Sequence, residues 1–438
     1  MNARQNKRRL GQVLIGLFAL SGSVWAQSPT GQETMAQLVQ EIKQLQQQDH
    51  DLQERIRLLE SRQVPTPPVN TANANPAPVP AQPAEQIPPR EVPSPAQTDW
   101  HQVHGIQWHG YGEVNYKVLD QRQPELGTGG FVPGSAGNFY TGDFDLFLSS
   151  KINGKTNVLS EIAFGEGAHQ DFSIDLERFL LKYDFNDHLK MSFGRYQTGI
   201  GYYNAGFRSA SWVLTAIDRP LIMEFPGDGG LLPLRSVGVS ITGLVPSGKL
   251  GLNYLFEYGS SDTVRQDLNG SGTVDDENNG NQLNVGLFVR PDVLPGLRIG
   301  GSFYHDKISD STLSSRIRIS QSIVNAHVVY TAHGYEILNE GFLIRHAPEN
   351  SRIAFNMPAF YSQISKRFGP IRPFFRFQYV NTNKNNTIFD DVGLRYGPSF
   401  GARYELNDYV AFKAQLDHTL RGGKPNLNGL QLQLVFTF

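Results

Sequence analysis

Cysteine is absent from all 438 residues, which excludes disulfides and thiolate chemistry without identifying a compartment. Beyond residue 26 no apolar run approaches the roughly 18 residues that suggest a spanning helix, so a helical membrane protein is excluded. Catalytic sets are missing as well. His, Ser and Asp are scattered without a nucleophile elbow or a metal-binding pair, so no enzyme is expected. Charge is nearly balanced, with 39 basic against 41 acidic residues and a net charge of −2, which gives no reason to expect a nucleic-acid partner.

What is present is a two-residue repeat. Residues 427–438 read LNGLQLQLVFTF, with Leu430, Leu432, Leu434, Phe436 and Phe438 on one phase and Gln431, Gln433 and Thr437 on the other. Successive side chains of a strand point to opposite faces, so this is a sheet with one apolar and one polar surface. Similar segments recur back to about residue 106 with almost nothing helical between them. Strands of about 9–11 residues, apolar outside and polar inside, are what a closed barrel needs to cross a bilayer. A mean hydropathy of −0.35 fits such a barrel, because half of its positions face a wet interior. The 44 glycines and 11% aromatic content suit many turns and interfacial rings.

The N-terminal quarter reads differently. Residues 1–26 place Arg4, Lys7, Arg8 and Arg9 before an apolar run and end in Val24-Trp25-Ala26, the pattern of a cleaved secretion signal. Its removal leaves 35 basic and 41 acidic residues, a net charge of −6. Over residues 33–63 the period becomes seven: Met35, Ile42, Asp49 and Ile56 occupy one seam position and Leu38, Leu45, Leu52 and Leu59 the other. That is a coiled-coil seam, which a polar helix buries against copies of itself. Residues 64–98 hold 11 of the 26 prolines, a composition that cannot pack a core and acts as an extended spacer. The barrel is expected over residues 104–438. His101, His104 and His109 cluster at its start, but without the acidic or Cys partners that zinc ligation favours.

The pattern predicts an all-β, transmembrane antiparallel barrel of about 16 strands. Its connections alternate between short turns, such as Asn153-Gly154 and Asn407-Asp408, and long loops at 119–138, 197–232 and 261–280. Outer-membrane barrels are laid out in this way. Alternation slips near Glu177-Arg178 and over residues 319–323, where bulges are expected. A charge on the lipid face costs about 2–4 kcal/mol at mid-bilayer, which fixes the inward phase. Arg372, Arg376, Arg395, Arg403, Lys413 and Arg421 then form a basic wall, with Glu113, Asp143 and Asp145 near the other end of the sheet. In the same phase assignment Val392 faces lipid on a strand running over 389–405.

The loop at 197–232 is too long and too aromatic for a surface loop, since Trp212, Leu214, Ile217, Leu221, Ile222, Met223 and Phe225 need dry surroundings. Three segments carry a family resemblance: FGRYQTGIGYYN, IDRPLIMEFPGDGGLLPLRSVGV and the terminal NGLQLQLVFTF. On these the chain resembles the bacterial porin superfamily, looking most like porin-like proteins with a GR-x-x-T-x-x-GY-x-N motif and more distantly like the phosphate-selective porins. It lacks the latter's Lys/Arg-dense loop. The resemblance implies a third loop folded into the barrel, a homotrimer, and recognition of Phe438 by the assembly machinery. The heptad prefix is similar to those of some sugar- and dicarboxylate-specific porins.

In the inward loop, Asp218, Glu224 and Asp228 would oppose the basic wall across a constriction; alternatively Arg208 and Arg219 neutralise them locally. Asp267, Asn269, Ser271, Thr273 and Asp275 match ligand positions of a calcium loop, with Gly272 at its sharp turn, but Asn278 replaces the closing Glu. That leaves either a weak Ca2+ site or an Asp/Asn/Gly loop carrying surface charge, and no other cofactor is expected. Two functions stand. One is a porin passing small hydrophilic, anionic solutes through a charged constriction. The other is a structural tether joining the outer membrane to the cell wall, with peptidoglycan as partner, through the coiled coil.

Overall fold

Alternation does fix the architecture. The computed structural model describes residues 101–103, 105–122, 132, 134–166, 172–207, 211–225, 229–261, 281–310, 317–349 and 351–438. The expected secretion signal, coiled coil and proline-rich segment lie outside the described residues. A short strand β1 (His101–Val103) pairs with β2, and sixteen strands form the barrel. They are β2 (Ile106–Leu119), β3 (Ala136–Lys151), β4 (Thr156–Glu166), β5 (Phe172–Asn186), β6 (Leu189–Gln197), β7 (Arg235–Leu244), β8 (Leu252–Ser261) and β9 (Gln282–Val289). The second half comprises β10 (Leu297–Asp310), β11 (Ile317–Tyr330), β12 (Tyr335–Pro348), β13 (Phe355–Lys366), β14 (Ile371–Asn381), β15 (Leu394–Glu405), β16 (Val410–Arg421) and β17 (Leu427–Thr437). Each strand pairs antiparallel with its sequence neighbours, and β17 closes the ring on β2 through Leu430↔Val118, Gln433↔Asn115 and Thr437↔Tyr111.

Closure matters because lipid offers no partner to a bare strand edge, so every backbone N–H and C=O must pair within the sheet. The seam carries side-chain bonds too. Gln433 Nε2 donates to Glu113 Oε2 at 2.9 Å and Asn115 Oδ1 at 3.0 Å. Gly110 and Phe438 exchange both backbone hydrogen bonds at 3.0 Å, and the Phe438 ring packs outside against Phe144 at 5.5 Å and Trp108 at 6.0 Å. Val324, Leu343, Phe360, Phe375, Phe400 and Leu434 are exposed on the outer face, while Gln321, Gln363, Ser399, Gln415 and Gln431 are buried on the inner one.

Two details separate sequence from structure. At Glu177 the pairing jumps from Glu161↔Arg178 to Ile162↔Leu176, so the first expected bulge is present. No register shift occurs over residues 319–323. Ile319 and Ile323 occupy the inward phase beside Gln321 because apolar loop residues pack there. Val392 is likewise buried in that inner cluster, since β15 begins only at Leu394 and the loop before it folds inward.

Gly194 lies within β6 at φ +125°, and a Cβ there would collide with the Phe179 carbonyl. Gly194→Ala is therefore expected to destabilise the barrel by about 1–3 kcal/mol, read as a lower temperature at which the folded band is lost in unboiled SDS gels. Gly154→Ala, in open space, should leave that temperature unchanged.

Candidate functional site

The segment between β6 and β7 crosses the interior. Its ends are clasped: Thr198 N donates to Leu234 O at 2.9 Å, Thr198 Oγ1 to Pro233 O at 2.7 Å, and Asn204 Nδ2 to Thr198 O at 2.9 Å and Leu234 O at 2.8 Å. Two wall carboxylates receive the first residues of the loop. Glu257 on β8 accepts Gly199 N–H at both oxygens, 3.1 and 3.0 Å. Glu340 on β12 accepts Tyr202 N–H at 2.6 Å, Tyr203 N–H at 2.8 Å and the Tyr361 hydroxyl at 2.5 Å. Gly201, at φ +79°, permits this approach, because a Cβ would strike the Glu340 carboxylate. A five-residue helix α1 (Tyr203–Phe207) follows.

The loop's apolar residues find their dry surroundings against the wall. Tyr203, Phe207, Leu214, Ile222 and Met223 cluster with Tyr304, Ile323, Leu338, Phe342 and Tyr361. Trp212 packs with Tyr111, Phe147, Ala411 and Val435. Fully burying side chains of this size contributes about 1.5–3 kcal/mol each. A second inward segment sits between β14 and β15. There Asn386 Nδ2 meets His346 Nδ1 at 2.9 Å, and Phe389 stacks on His346 at 5.3 Å.

The basic wall meets the loop directly. Arg376 donates to Asp218 O at 2.8 Å; Arg403 donates to Leu214 O at 3.1 Å and to Trp212 O, with its guanidinium 4.8 Å from the Trp212 ring. Lys413 Nζ donates to Ser211 O at 2.7 Å and Ala216 O at 3.3 Å. Arg372 lies 3.7 Å from Glu336 and donates to Thr215 Oγ1 at 3.5 Å. Arg395 reaches Val392 O at 3.2 Å, and Arg421 reaches Pro425 O and Gln121 Oε1, both at 2.8 Å. The expectation of a charged wall facing loop acids across a gap is thereby corrected. Arg376, Arg403 and Lys413 are at most 3% exposed, and they act as donors for loop carbonyls that would otherwise be buried without partners.

Of the loop charges, Asp218 does not face the basic wall across a gap. Asp218 accepts from the side-chain amides of Gln431 and Gln415 and sits beside wall residues, not opposite them. Arg219 turns into the loop's own core, donating to Met223 O at 2.6 Å and lying over the Phe225 ring at 4.9 Å and the Tyr203 ring at 5.5 Å. Glu224 is half-buried. Arg208 and Asp228 lie outside the described residues, as do the calcium-like positions Asp267, Asn269, Ser271, Thr273, Asp275 and Asn278.

Past the closing strand β17, Glu113 on β2 and Asp143 on β3 are half-buried and Asp145 is buried. Two ion pairs not anticipated from the sequence lie beside them: Glu161 with Arg178, and Glu177 with Arg235 at 2.5 Å. His109 stacks on Phe147 at 4.8 Å. His104 and the side chain of His101 lie outside the described residues. The loop anchors Glu257 and Glu340 were also missed, although both fall on the inward phase of strands whose outward phase is apolar.

No family model matches the sequence, and no curated protein matches it. Among solved structures, the fold is similar to that of an anion-selective porin from Comamonas acidovorans at a TM-score of 0.52 and 11% identity, covering 76% of this chain and 99% of that one. It is similar to the outer membrane channel DcaP of Acinetobacter baumannii at a TM-score of 0.51 and 10% identity, covering 76% and 97%. Outer-membrane expressed OmpT of Vibrio cholerae gives a TM-score of 0.50 and 12% identity, covering 78% and 100%. The chain thus has the closed sixteen-stranded antiparallel barrel fold of outer-membrane porins.

Glu340→Ala removes an acceptor shared by two loop amides and the Tyr361 hydroxyl, at a cost of about 1–3 kcal/mol for each donor left unsatisfied. The loop is expected to detach while the barrel still forms. Chymotrypsin should then cut after Trp212, buried in the intact loop, in folded protein where the unaltered chain resists.

Proposed function

We propose that the chain is an outer-membrane channel through which small hydrophilic solutes, anions foremost, diffuse down their gradients past a section narrowed by the β6–β7 loop. The observation that carries this is a closed barrel with an apolar outer and polar inner face, crossed by a loop clasped at its root. The short-turn end then faces the periplasm and the long-loop end the exterior, as in barrels of this layout. Residues 1–26 act as the export signal. The 33–63 heptads join three copies, and residues 64–98 space that bundle from the barrel.

Anion preference rests on a different set of charges from the one first expected. Arg376, Arg403 and Lys413 are engaged by loop carbonyls, which leaves them little freedom to meet a solute. Guanidiniums without such engagement are the ones that can act on permeating ions.

Purified mature protein in planar bilayers is expected to give uniform ohmic current steps. A barrel that inserts, as shown by protease protection, yet never conducts would overturn the channel reading. Arg376→Gln with Arg403→Gln should raise step size and noise by loosening the loop, with a smaller effect on reversal potential in a KCl gradient.

A further inference from the structure

Where the loop root meets β9 and β10, two arginines approach one aromatic ring. The Arg298 guanidinium carbon lies 3.8 Å from the Phe288 ring centroid and that of Arg290 lies 5.1 Å from it. Arg298 is also 5.0 Å from the Tyr202 ring. Its Nε donates to His327 Nε2 at 3.2 Å, which uses one of five guanidinium N–H donors. Gly300, paired with Phe288, makes the room: a Cβ there would lie 2.5 Å from Phe288 Cβ and 2.9 Å from His327 Cε1.

The two guanidiniums are not matched by ion-paired acids among the described residues. Arg290 and Arg298 are half-buried and within electrostatic reach of each other. Among the described residues neither has a carboxylate at salt-bridge distance. The nearby acid, Glu340, already accepts from Tyr202 N–H, Tyr203 N–H and the Tyr361 hydroxyl. The Tyr202 hydroxyl, within electrostatic reach of both arginines and on a ring that Arg298 lies over, has no hydrogen-bond partner among the described residues. Two like charges held together away from bulk water repel, and an oxyanion between them would relieve the repulsion while accepting forked guanidinium N–H groups.

We infer that Arg290, Arg298 and Tyr202 form a subsite for small oxyanions, a carboxylate or inorganic phosphate, at the foot of the inward loop. As a step in permeation the subsite rests on the channel reading; as a binding site it does not. Its position joins selectivity to the loop, because Tyr202 is placed by the same Glu340 contact that anchors the loop root.

Full-length protein in detergent, titrated calorimetrically with sodium acetate and separately with sodium phosphate, should bind at least one of them. The stronger of the two identifies the class. Arg290→Gln with Arg298→Gln should weaken that binding roughly tenfold or more, and Tyr202→Phe by about threefold or more. The second substitution keeps every charge and ring should the double variant fail to fold. In bilayers the bound anion should reduce chloride current in the unaltered protein and not in the double variant. Absence of binding by either anion, or equal binding by the unaltered protein and Tyr202→Phe, overturns the subsite. Binding of the expected pattern in a protein that never conducts supports the subsite and removes the channel reading.

Discussion

The whole molecule depends on one condition: a backbone in hydrocarbon has to satisfy its hydrogen bonds within itself. Closure of β17 on β2 meets that condition, and it imposes a second. Once the ring is shut, every strand has an inside and an outside, and the two-residue period allots each side chain to one of them. Polar and charged residues are driven inward by the cost of meeting lipid, whatever they then do there. An inward charge is therefore first a statement about the outside of the barrel.

What such charges do inside is decided by the loop. A segment of nearly forty residues led through a barrel brings peptide groups into a place with little water, where each unpaired carbonyl or amide is costly. Here the wall supplies the partners. Glu257 and Glu340 take amides at the loop root, Gln378 and Gln415 take the amides of Leu221 and Ile217, and Arg376, Arg403 and Lys413 take carbonyls further along. Acids sit where N–H groups arrive and bases where C=O groups arrive. The loop and the wall behave as one packed core, with Trp212 and Phe207 in place of the solvent an empty lumen would hold.

The period-two pattern made the strands, their number and their phase legible, because hydrocarbon enforces the pattern at every turn of the ring. Asymmetric connections revealed which loop was exceptional, and the aromatic content of residues 200–225 said it was buried. Partners were a different matter. Ile319 and Ile323 broke the lipid-facing rule for a reason that lies sixty or more residues away in sequence, namely loops filling the interior beside them, and Val392 mimicked it from within such a loop. Likewise Glu340 reads as any inward carboxylate until Tyr202 and Tyr203 are seen to approach it. Alternation reports only which side of a wall a residue is on; contact with a crossing segment has no period to betray it.

The same limit bears on selectivity. Arg403 and Arg298 are both inward arginines resting on aromatic rings, and a count of lumen charges would treat them alike. Their surroundings differ in kind. Arg403 gives its donors to Trp212 O and Leu214 O and lies 2.9 Å from Glu405, so its field is largely met by fixed groups. Arg298 gives one donor to a histidine and shares its ring with a second arginine. On the proposed channel reading, an ion passing the first would meet a compensated dipole, whereas an ion passing the second would meet charge that no acid among the described residues pairs with. If this barrel conducts as proposed, its selectivity would belong to the charge remaining after the loop has been held in place.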